Sequence, residues 1–377
     1  MLKANVFLDQ LKQNGIDRFF GVPDSLLKPL NAALSERGGD TIAISEGNAM
    51  ALATGYHLAT GKVPLVYLQN SGLGNIVNPL LSLCDPEVYN IPLLIVIGWR
   101  GMPGHYDEPQ HRKQGRVNEA MLKAMEVPFA ILPNEAEKAK TLLQKVLDDL
   151  KSNPKPMALL VPPNTFEAYH NNTSQKEKAV YSSREEALEA LLEFLPVNSR
   201  IFCTTGKSSR ELFELRERRK EGHAHDFLTV GSMGHASQIA LAFAEESSHI
   251  PVVCIDGDGA LLMHMGGMAL IGQSKAANLF HILINNEAHE SVGGQPTIAG
   301  KIVLPAIAKA VGYATAYVVD EMEMLKKVLQ NCKSDNGPHF IEIKVKQGSR
   351  KDLGRPTTSP LENKEAFMKG LNRIPQT

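Results

Sequence analysis

The sequence predicts an α/β protein of two domains, each a mainly parallel sheet flanked by helices, with no third domain between them. Three observations carry this. At 377 residues the chain is long enough for two cores of ordinary size. Short apolar runs rich in β-branched residues alternate with helical periodicity through both halves, the pattern of strand, crossover and parallel strand. Between the halves, VPPNTFEAYHNNTSQKEKAVYSSREEA replaces that periodicity with proline, asparagine and serine. This gives a first domain over 1–162, a linker over 163–183 and a second domain over 184–377. Asn172-Thr173-Ser174 reads as polar connector and not as a glycosylation site.

In the first half, helical patterns fall at residues 6–13, 26–34, 48–60, 74–83 and 136–150, and strand-like runs at 18–21, 41–44, 63–68, 93–97 and 158–161. The second half repeats the alternation. Helices are expected at 184–194, 210–218, 235–243, 303–311, 321–332 and 362–371, and strands at 200–204, 252–255, 279–284, 314–318 and 340–343. Residues 252–290 form the stretch around which the chain is organised, a strand, a crossover helix and a second strand. Both strands present their carboxyl ends to one sheet edge, so Asp258 and Asn286 should meet there. One carboxylate and one amide oxygen, with no thiolate or imidazole, suit Mg²⁺ or Ca²⁺, and the glycines beside Asp258 let backbone N–H groups approach a diphosphate.

Composition narrows the partner. A net charge of −1 gives no electrostatic footprint for nucleic acid or an anionic membrane, so a small molecule is expected. Cys84, Cys203, Cys254 and Cys332 show no CxxC spacing, and the amino terminus reads as an amphipathic helix and not a signal peptide. No apolar run reaches the length of a membrane span, and a cytoplasmic location is expected. His264 and His281, inside apolar segments, read as packed core residues.

Gly257-Asp258-Gly259 followed by Asn285-Asn286 at this spacing resembles the motif by which thiamine diphosphate enzymes hold Mg²⁺ and the cofactor's diphosphate. The resemblance implies two thiamine diphosphate-binding-fold domains, aminopyrimidine-binding first and diphosphate-binding second. The large decarboxylases carry a further domain between these, so the chain resembles the compact phosphonopyruvate and sulfopyruvate decarboxylase branch. It further implies a Mg²⁺ shell of Asp258, the side chain of Asn286 and the backbone carbonyl of Ala288, with Gly257, Gly259 and Ala260 along the diphosphate. Alanine at 288 replaces a glycine common in the family, a change that a main-chain ligand tolerates.

By the same resemblance, Glu46 before Asn48-Ala49 is the carboxylate that hydrogen-bonds the aminopyrimidine ring, and Gly231, Ser232 and Met233 face the middle of the cofactor, Met233 holding it bent. The segment 205–211 offers hydroxyls and N–H groups to the diphosphate. Residues 21–30, 69–75 and 99–116 resemble phosphonopyruvate decarboxylases. Asp24 and His111 are the candidates for delivering the proton that completes the reaction. Asp24, Ser25, Asn70, Ser71, Arg112 and Lys113 are the candidates for holding the substrate, the cations coming from a basic loop that also carries Arg100, His105 and Arg116. A second basic stretch, 346–355, is expected to fold over the site as a lid, and His289 and Glu290 are weaker candidates for chemistry.

The implied activity is decarboxylation of a 2-keto acid carrying a phosphonate, in phosphonate biosynthesis, with thiamine diphosphate and Mg²⁺. Sulfopyruvate decarboxylation is the near alternative, since a sulfonate asks for similar cations. A non-catalytic cofactor-binding regulatory subunit is the alternative of a different class, and retention of Glu46 argues against it. Sites in the superfamily form between subunits, so a homodimer or larger homo-oligomer is implied.

Overall fold

The computed structural model describes residues 1–169, 181–196, 198–274, 276–332 and 336–371. The chain divides into two compact units, Met1–Ser174 with Ser291–Gln295, and Gln175–Glu290 with Pro296–Thr377. Each unit holds a six-stranded parallel sheet.

The first sheet is built from β1 (Phe19–Gly21), β2 (Asp40–Ile42), β3 (Leu65–Gln69), β4 (Leu94–Gly98), β5 (Phe129–Ile131) and β6 (Met157–Val161), in the order β2-β1-β3-β4-β6-β5. Its central strands are buried on both faces, which is why their apolar runs are continuous and not alternating. Leu65, Tyr67, Leu94, Val96, Leu159 and Val161 face one core, with α1 (Ala4–Gln13), α2 (Lys28–Arg37) and α6 (Ala136–Ser152). Val66, Leu68, Ile95, Ile97 and Leu160 face the other, with α3 (Glu46–Thr60), α4 (Leu73–Pro79) and α5 (Pro109–Ala124).

The second sheet repeats the winding. Its strands are β7 (Arg200–Cys203), β8 (Asp226–Leu228), β9 (Val252–Gly257), β10 (Leu279–Asn285), β11 (Thr315–Val319) and β12 (His339–Lys344), in the order β11-β12-β10-β9-β7-β8. Its helices are α7 (Arg184–Phe194), α8 (Lys207–Arg219), α9 (Ala236–Glu246), α10 (Asp258–Met263), α11 (Gly267–Gln273), α12 (Leu304–Val311), α13 (Met322–Asn331) and α14 (Pro360–Leu371). A capping box between Ser183 and Glu186 starts α7. In both sheets the chain first steps to one side and then crosses to the other, leaving a switch point between β1 and β3 and another between β7 and β9. Ligands of open parallel sheets bind at such points, outside the carboxyl ends of the strands.

Four expectations need correction. The crossover helix of the 252–290 stretch is two short helices, α10 and α11, separated at His264–Gly266 where two glycines, Gly266 and Gly267, interrupt the helical pattern. The basic loop over 99–116 is helix from Pro109 onward, so His111, Arg112, Lys113 and Arg116 stand on α5. The buried residues of α5 are His111, Gly115, Asn118 and Leu122, a stripe with one large apolar member, which hydrophobic periodicity cannot detect. Strands β5 and β8, three residues each, were too short to read. The beginning of the expected linker is part of the first core: Phe166 is buried against Phe7 and bridges Leu2. Residues 170–180, including Asn172-Thr173-Ser174, lie outside the described residues.

Candidate active site

In the second unit, β9 ends at Gly257 and α10 begins on Asp258. The register pairs Gly257 with Ile284, so the chain leaves β9 through Asp258 and β10 through Asn286 at the same sheet edge. Asp258 is only 4% exposed, and the Thr297 hydroxyl donates to its Oδ2 at 2.5 Å. Burial pushes this carboxyl up to about 6, against the pull of Thr297 and the Gly259 N–H, and Glu287 adds repulsion. Asn286 is buried, with Oδ1 accepting from the Ala288 N–H at 3.1 Å and Nδ2 donating to Glu290 Oε2 at 2.7 Å.

Gly259 sits where a side chain would be crowded: a Cβ there would lie 3.0 Å from the His289 ring and 3.2 Å from Met233 Cε. Met233 therefore packs directly on the Asp258 turn. It is carried by a segment of left-handed backbone, with φ of 74° at Gly231, 45° at Ser232 and 88° at Gly234. The Gly231 N–H donates to Thr205 Oγ1 at 3.2 Å, which ties the ends of β7 and β8 together. Ala260 is buried in the first turn of α10. The His289 imidazole is pushed down to about 4 by burial and is neutral at pH 7.

In the first unit, Glu46 opens α3 behind the Ser45 cap and is 5% exposed. Asn75 Nδ2 donates to its Oε2 at 2.8 Å, and a Cβ on Gly72 would fall 2.3 Å from its Oε1, so only glycine leaves space for this carboxylate. At the switch point, Asp24 follows β1 and is fully buried. Gln69 Nε2 donates to its Oδ1 at 2.5 Å and the Leu26 N–H to its Oδ2 at 3.1 Å, while a Cβ on Gly98 would lie 1.9 Å from Oδ2. Burial raises the Asp24 carboxyl above its ordinary value, opposed by Gln69 and Arg100.

Arg100, just past β4, organises the rest. Its Nη1 donates to Ser25 Oγ at 2.7 Å, and its Nε and Nη2 grip Asp107 at 2.8 and 2.5 Å. Burial works against the Asp107 charge, but Arg100 and the N–H groups of Glu108 and Gly101 outweigh it and hold that carboxyl well below the usual range. Asn70 exchanges two hydrogen bonds with the Arg100 backbone, at 2.8 and 3.0 Å. Ser71 is exposed and donates to Gln69 Oε1 at 2.7 Å. His111 is buried at the start of α5, and burial together with Arg100 lowers its pKa.

The expected site residues thus divide. Asp24, Ser25, Asn70 and Ser71 join one hydrogen-bonded set through Gln69 and Arg100. Arg112 and Lys113 are exposed on α5, and Arg112 reaches the Asp107 carbonyl, at 3.2 Å, and the Tyr106 ring. In the stretch 346–355, Arg350 pairs with Glu185, Glu214 and Asp352, and Arg210 Nε donates to the Gly354 carbonyl at 2.6 Å, all partners in the second unit. Thr297, Gly72, Asn75 and the Glu290 partners were not anticipated. For Gly72 and Asn75 the signal was available in QNSGLGN, whereas an isolated threonine beyond the motif offered none.

Two family models match the chain. The N-terminal TPP binding domain of thiamine pyrophosphate enzymes covers residues 1–122, and the C-terminal TPP binding domain covers 204–343. A phosphonopyruvate decarboxylase of Streptomyces viridochromogenes is 34% identical over 369 residues, covering 94% of this chain and 91% of the relative. The chain belongs to the thiamine pyrophosphate enzymes. Within that family it groups with compact decarboxylases and is a carboxy-lyase. A second phosphonopyruvate decarboxylase, of Streptomyces hygroscopicus, is 34% identical over 385 residues, covering 97% of this chain and 93% of the relative. A sulfopyruvate decarboxylase of Methanosarcina acetivorans is 28% identical over 388 residues, covering 97% and 96%. As a thiamine pyrophosphate enzyme of this compact kind, the chain has two cofactor-binding-fold domains, and among the described residues no third lies between them. Among the described residues no helix is long and apolar enough to cross a membrane.

Proposed function

We propose that this thiamine pyrophosphate enzyme decarboxylates 3-phosphonopyruvate to phosphonoacetaldehyde and CO₂, with Mg²⁺ alongside the cofactor, as a step of phosphonate biosynthesis in the cytoplasm. The single observation that carries the substrate is identity of 34% along more than nine tenths of the chain to two phosphonopyruvate decarboxylases. The Arg100 set supports it, because a guanidinium fixed by Asp107 and aimed at Ser25 is a preorganised donor for an oxyanion of the substrate. To Arg112 and Lys113, exposed on α5 in the single chain, we assign a long-range electrostatic part.

The donor set of the second unit fits the metal and diphosphate end of the cofactor. Asp258 is a carboxylate taken out of water whose strongest influences include a hydroxyl donor and a repelling Glu287 but no cation. A divalent ion would supply the missing positive charge, held by Asp258, the Asn286 side chain and the Ala288 carbonyl. The tight surroundings of Gly259 keep the backbone at this turn free of side-chain bulk, and Gly257, Gly259 and Ala260 would then take the diphosphate. Met233, packed on that turn, would support the bend of the cofactor, with Gly231 and Ser232 facing its middle.

Bound thiamine diphosphate supplies the electron sink for the pair left by departing CO₂. The residues of this chain bind, orient and move protons around it. Glu46, fixed by Asn75 and Gly72, holds a proton at the aminopyrimidine ring. Ser25, Asn70 and Ser71 orient the substrate with Arg100. Asp24, whose burial favours the protonated form, and the buried His111 are the groups for the final protonation. Because the two ends of the cofactor call on different domains, with boundaries taken at 1–162 and 184–377, the enzyme works as a homodimer or larger homo-oligomer with shared sites.

A sulfopyruvate substrate is the second reading, favoured by the Methanosarcina relative that matches 97% of this chain. Purified protein with thiamine diphosphate and Mg²⁺, offered phosphonopyruvate and sulfopyruvate in parallel, separates the two. CO₂ release at least tenfold faster from phosphonopyruvate is expected, and preference for the sulfonate would replace the first reading with the second.

A further inference from the structure

The amide of Asn286 has two chemically different ends, and only the oxygen can serve a cation. In the structure the nitrogen end is committed elsewhere, since Nδ2 donates to Glu290 Oε2 at 2.7 Å. Glu290 is itself held from two further sides. Arg184 Nη1 donates to its Oε2 at 2.8 Å, and Lys207 Nζ to its Oε1 at 2.6 Å. Arg184 is in turn fixed by Glu211, which accepts from Nε and Nη2 at 2.6 and 2.7 Å in a bidentate pair buried almost completely. The chain of contacts runs from the starts of α7 and α8 to the loop after β10.

This arrangement has a physical consequence. Turning the Asn286 amide over would set its oxygen against the Glu290 carboxylate, acceptor against acceptor, and would forfeit a charge-assisted hydrogen bond. Two carboxylates and two cations make the set neutral, so Glu290 orients the amide without adding net charge beside Asp258. With both oxygens occupied by Arg184, Lys207 and Asn286, Glu290 is poorly placed to exchange a proton with a substrate.

We propose that Glu290, braced by Arg184 and Lys207, is a positioning residue that fixes which end of the Asn286 amide is offered to the divalent ion. This deepens the metal reading above and rests on it. Outer partners of metal ligands of this sort contribute about 10–100-fold in metal affinity.

The test is a Mn²⁺ titration of the whole protein in the presence of thiamine diphosphate, read by electron paramagnetic resonance, which requires no substrate. For Glu290→Gln, whose amide can pair with Asn286 in either orientation, the Mn²⁺ dissociation constant is expected to rise about 10–100-fold. Lys207→Met, a milder change at a partly exposed side chain, loosens Glu290 and should raise the constant several-fold, keeping the question open to decision if Glu290→Gln folds poorly. Wild-type affinity in both variants would overturn the proposal. So would unchanged affinity with a lost rate at saturating Mn²⁺, which would make Glu290 a group acting on substrate. If wild-type protein binds no Mn²⁺ with thiamine diphosphate, the metal reading itself fails, and that result is distinct from a failure of Glu290 to position the amide.

Discussion

The two sheets are wound in the same order, and each opens a switch point at the carboxyl ends of its strands, yet the carboxylates placed there live in opposite circumstances. Asp24 in the first unit is enclosed by Gln69, the Leu26 N–H and the surface of Gly98, with Arg100 close enough to act on it. Asp258 in the second has a threonine hydroxyl and a repelling glutamate. Both are buried and both are pushed toward the protonated form. The difference teaches that winding decides where a site forms, while the neighbours decide whether a carboxyl keeps its proton or awaits a cation. On the function proposed above, the first edge serves protons and anions and the second a metal.

The largest effects should come from the residues that make the two edges different. Asp258→Ala is expected to abolish measurable Mg²⁺-dependent binding of thiamine diphosphate in a calorimetric titration. Glu46→Ala should keep that binding within about tenfold while lowering the decarboxylation rate by about 10²–10⁴-fold, the range for a lost proton-transfer group. Equal loss of binding in both variants would erase the division of labour.

Arg100→Ala against the double variant Arg112→Ala and Lys113→Ala sharpens the comparison within the first unit. The former removes a half-buried guanidinium that holds Asp107 and Ser25, and kcat/KM should fall at least about 100-fold, the loss of a strong charge-assisted contact. The latter removes exposed charges and should cost no more than a few-fold, an effect that shrinks further with added salt. The reverse ranking would return the substrate to α5.

Gly98→Ala and Gly72→Ala test the crowding around Asp24 and Glu46. A methyl at either position meets a carboxylate oxygen at 1.9 or 2.3 Å, and thermal unfolding should register a loss on the order of 1–3 kcal/mol from overpacking. Gly74→Ala, beside the same segment but with open space, is the control and should be close to neutral.

The smallest effect is a pH dependence of stability at the far end of the first sheet. Asp40, beneath the Tyr67 hydroxyl, is pushed up to about 6 by burial from an ordinary value of 3.8. The folded protein therefore binds more protons than the unfolded chain between those values, so this group makes stability fall as pH rises from about 4 to 6 and level off above. Asp40→Asn should flatten that part of the curve in denaturant melts. An unchanged slope would mean that the carboxyl ionises normally.

Much of this was legible in the sequence for a physical reason. Strands buried on both faces write themselves as continuous apolar runs, so 63–68, 93–97, 252–255 and 279–284 identified parallel sheets, and the glycine-bounded Asp258 with Asn286 identified an edge. What escaped was of another kind. Helix α5 buries His111, Gly115 and Asn118, so its stripe carries little hydrophobic contrast. Strand β8 is three residues long. Thr297 and Arg184 reach Asp258 and Glu290 across 39 and 106 positions, and pairing over such separations leaves no local pattern. In the basic stretch 346–355, Arg350 is paired with Glu185 and Glu214, which basic composition alone does not reveal.

The central claim is that the second edge works only with a divalent ion in place. Metal-stripped protein given thiamine diphosphate and phosphonopyruvate, with Mg²⁺ titrated back while CO₂ is followed, tests it most directly. The rate should begin near zero, climb with Mg²⁺ and saturate in wild type, and remain near zero throughout in Asp258→Ala. A full rate in the stripped wild-type protein, before any metal is returned, would contradict the account.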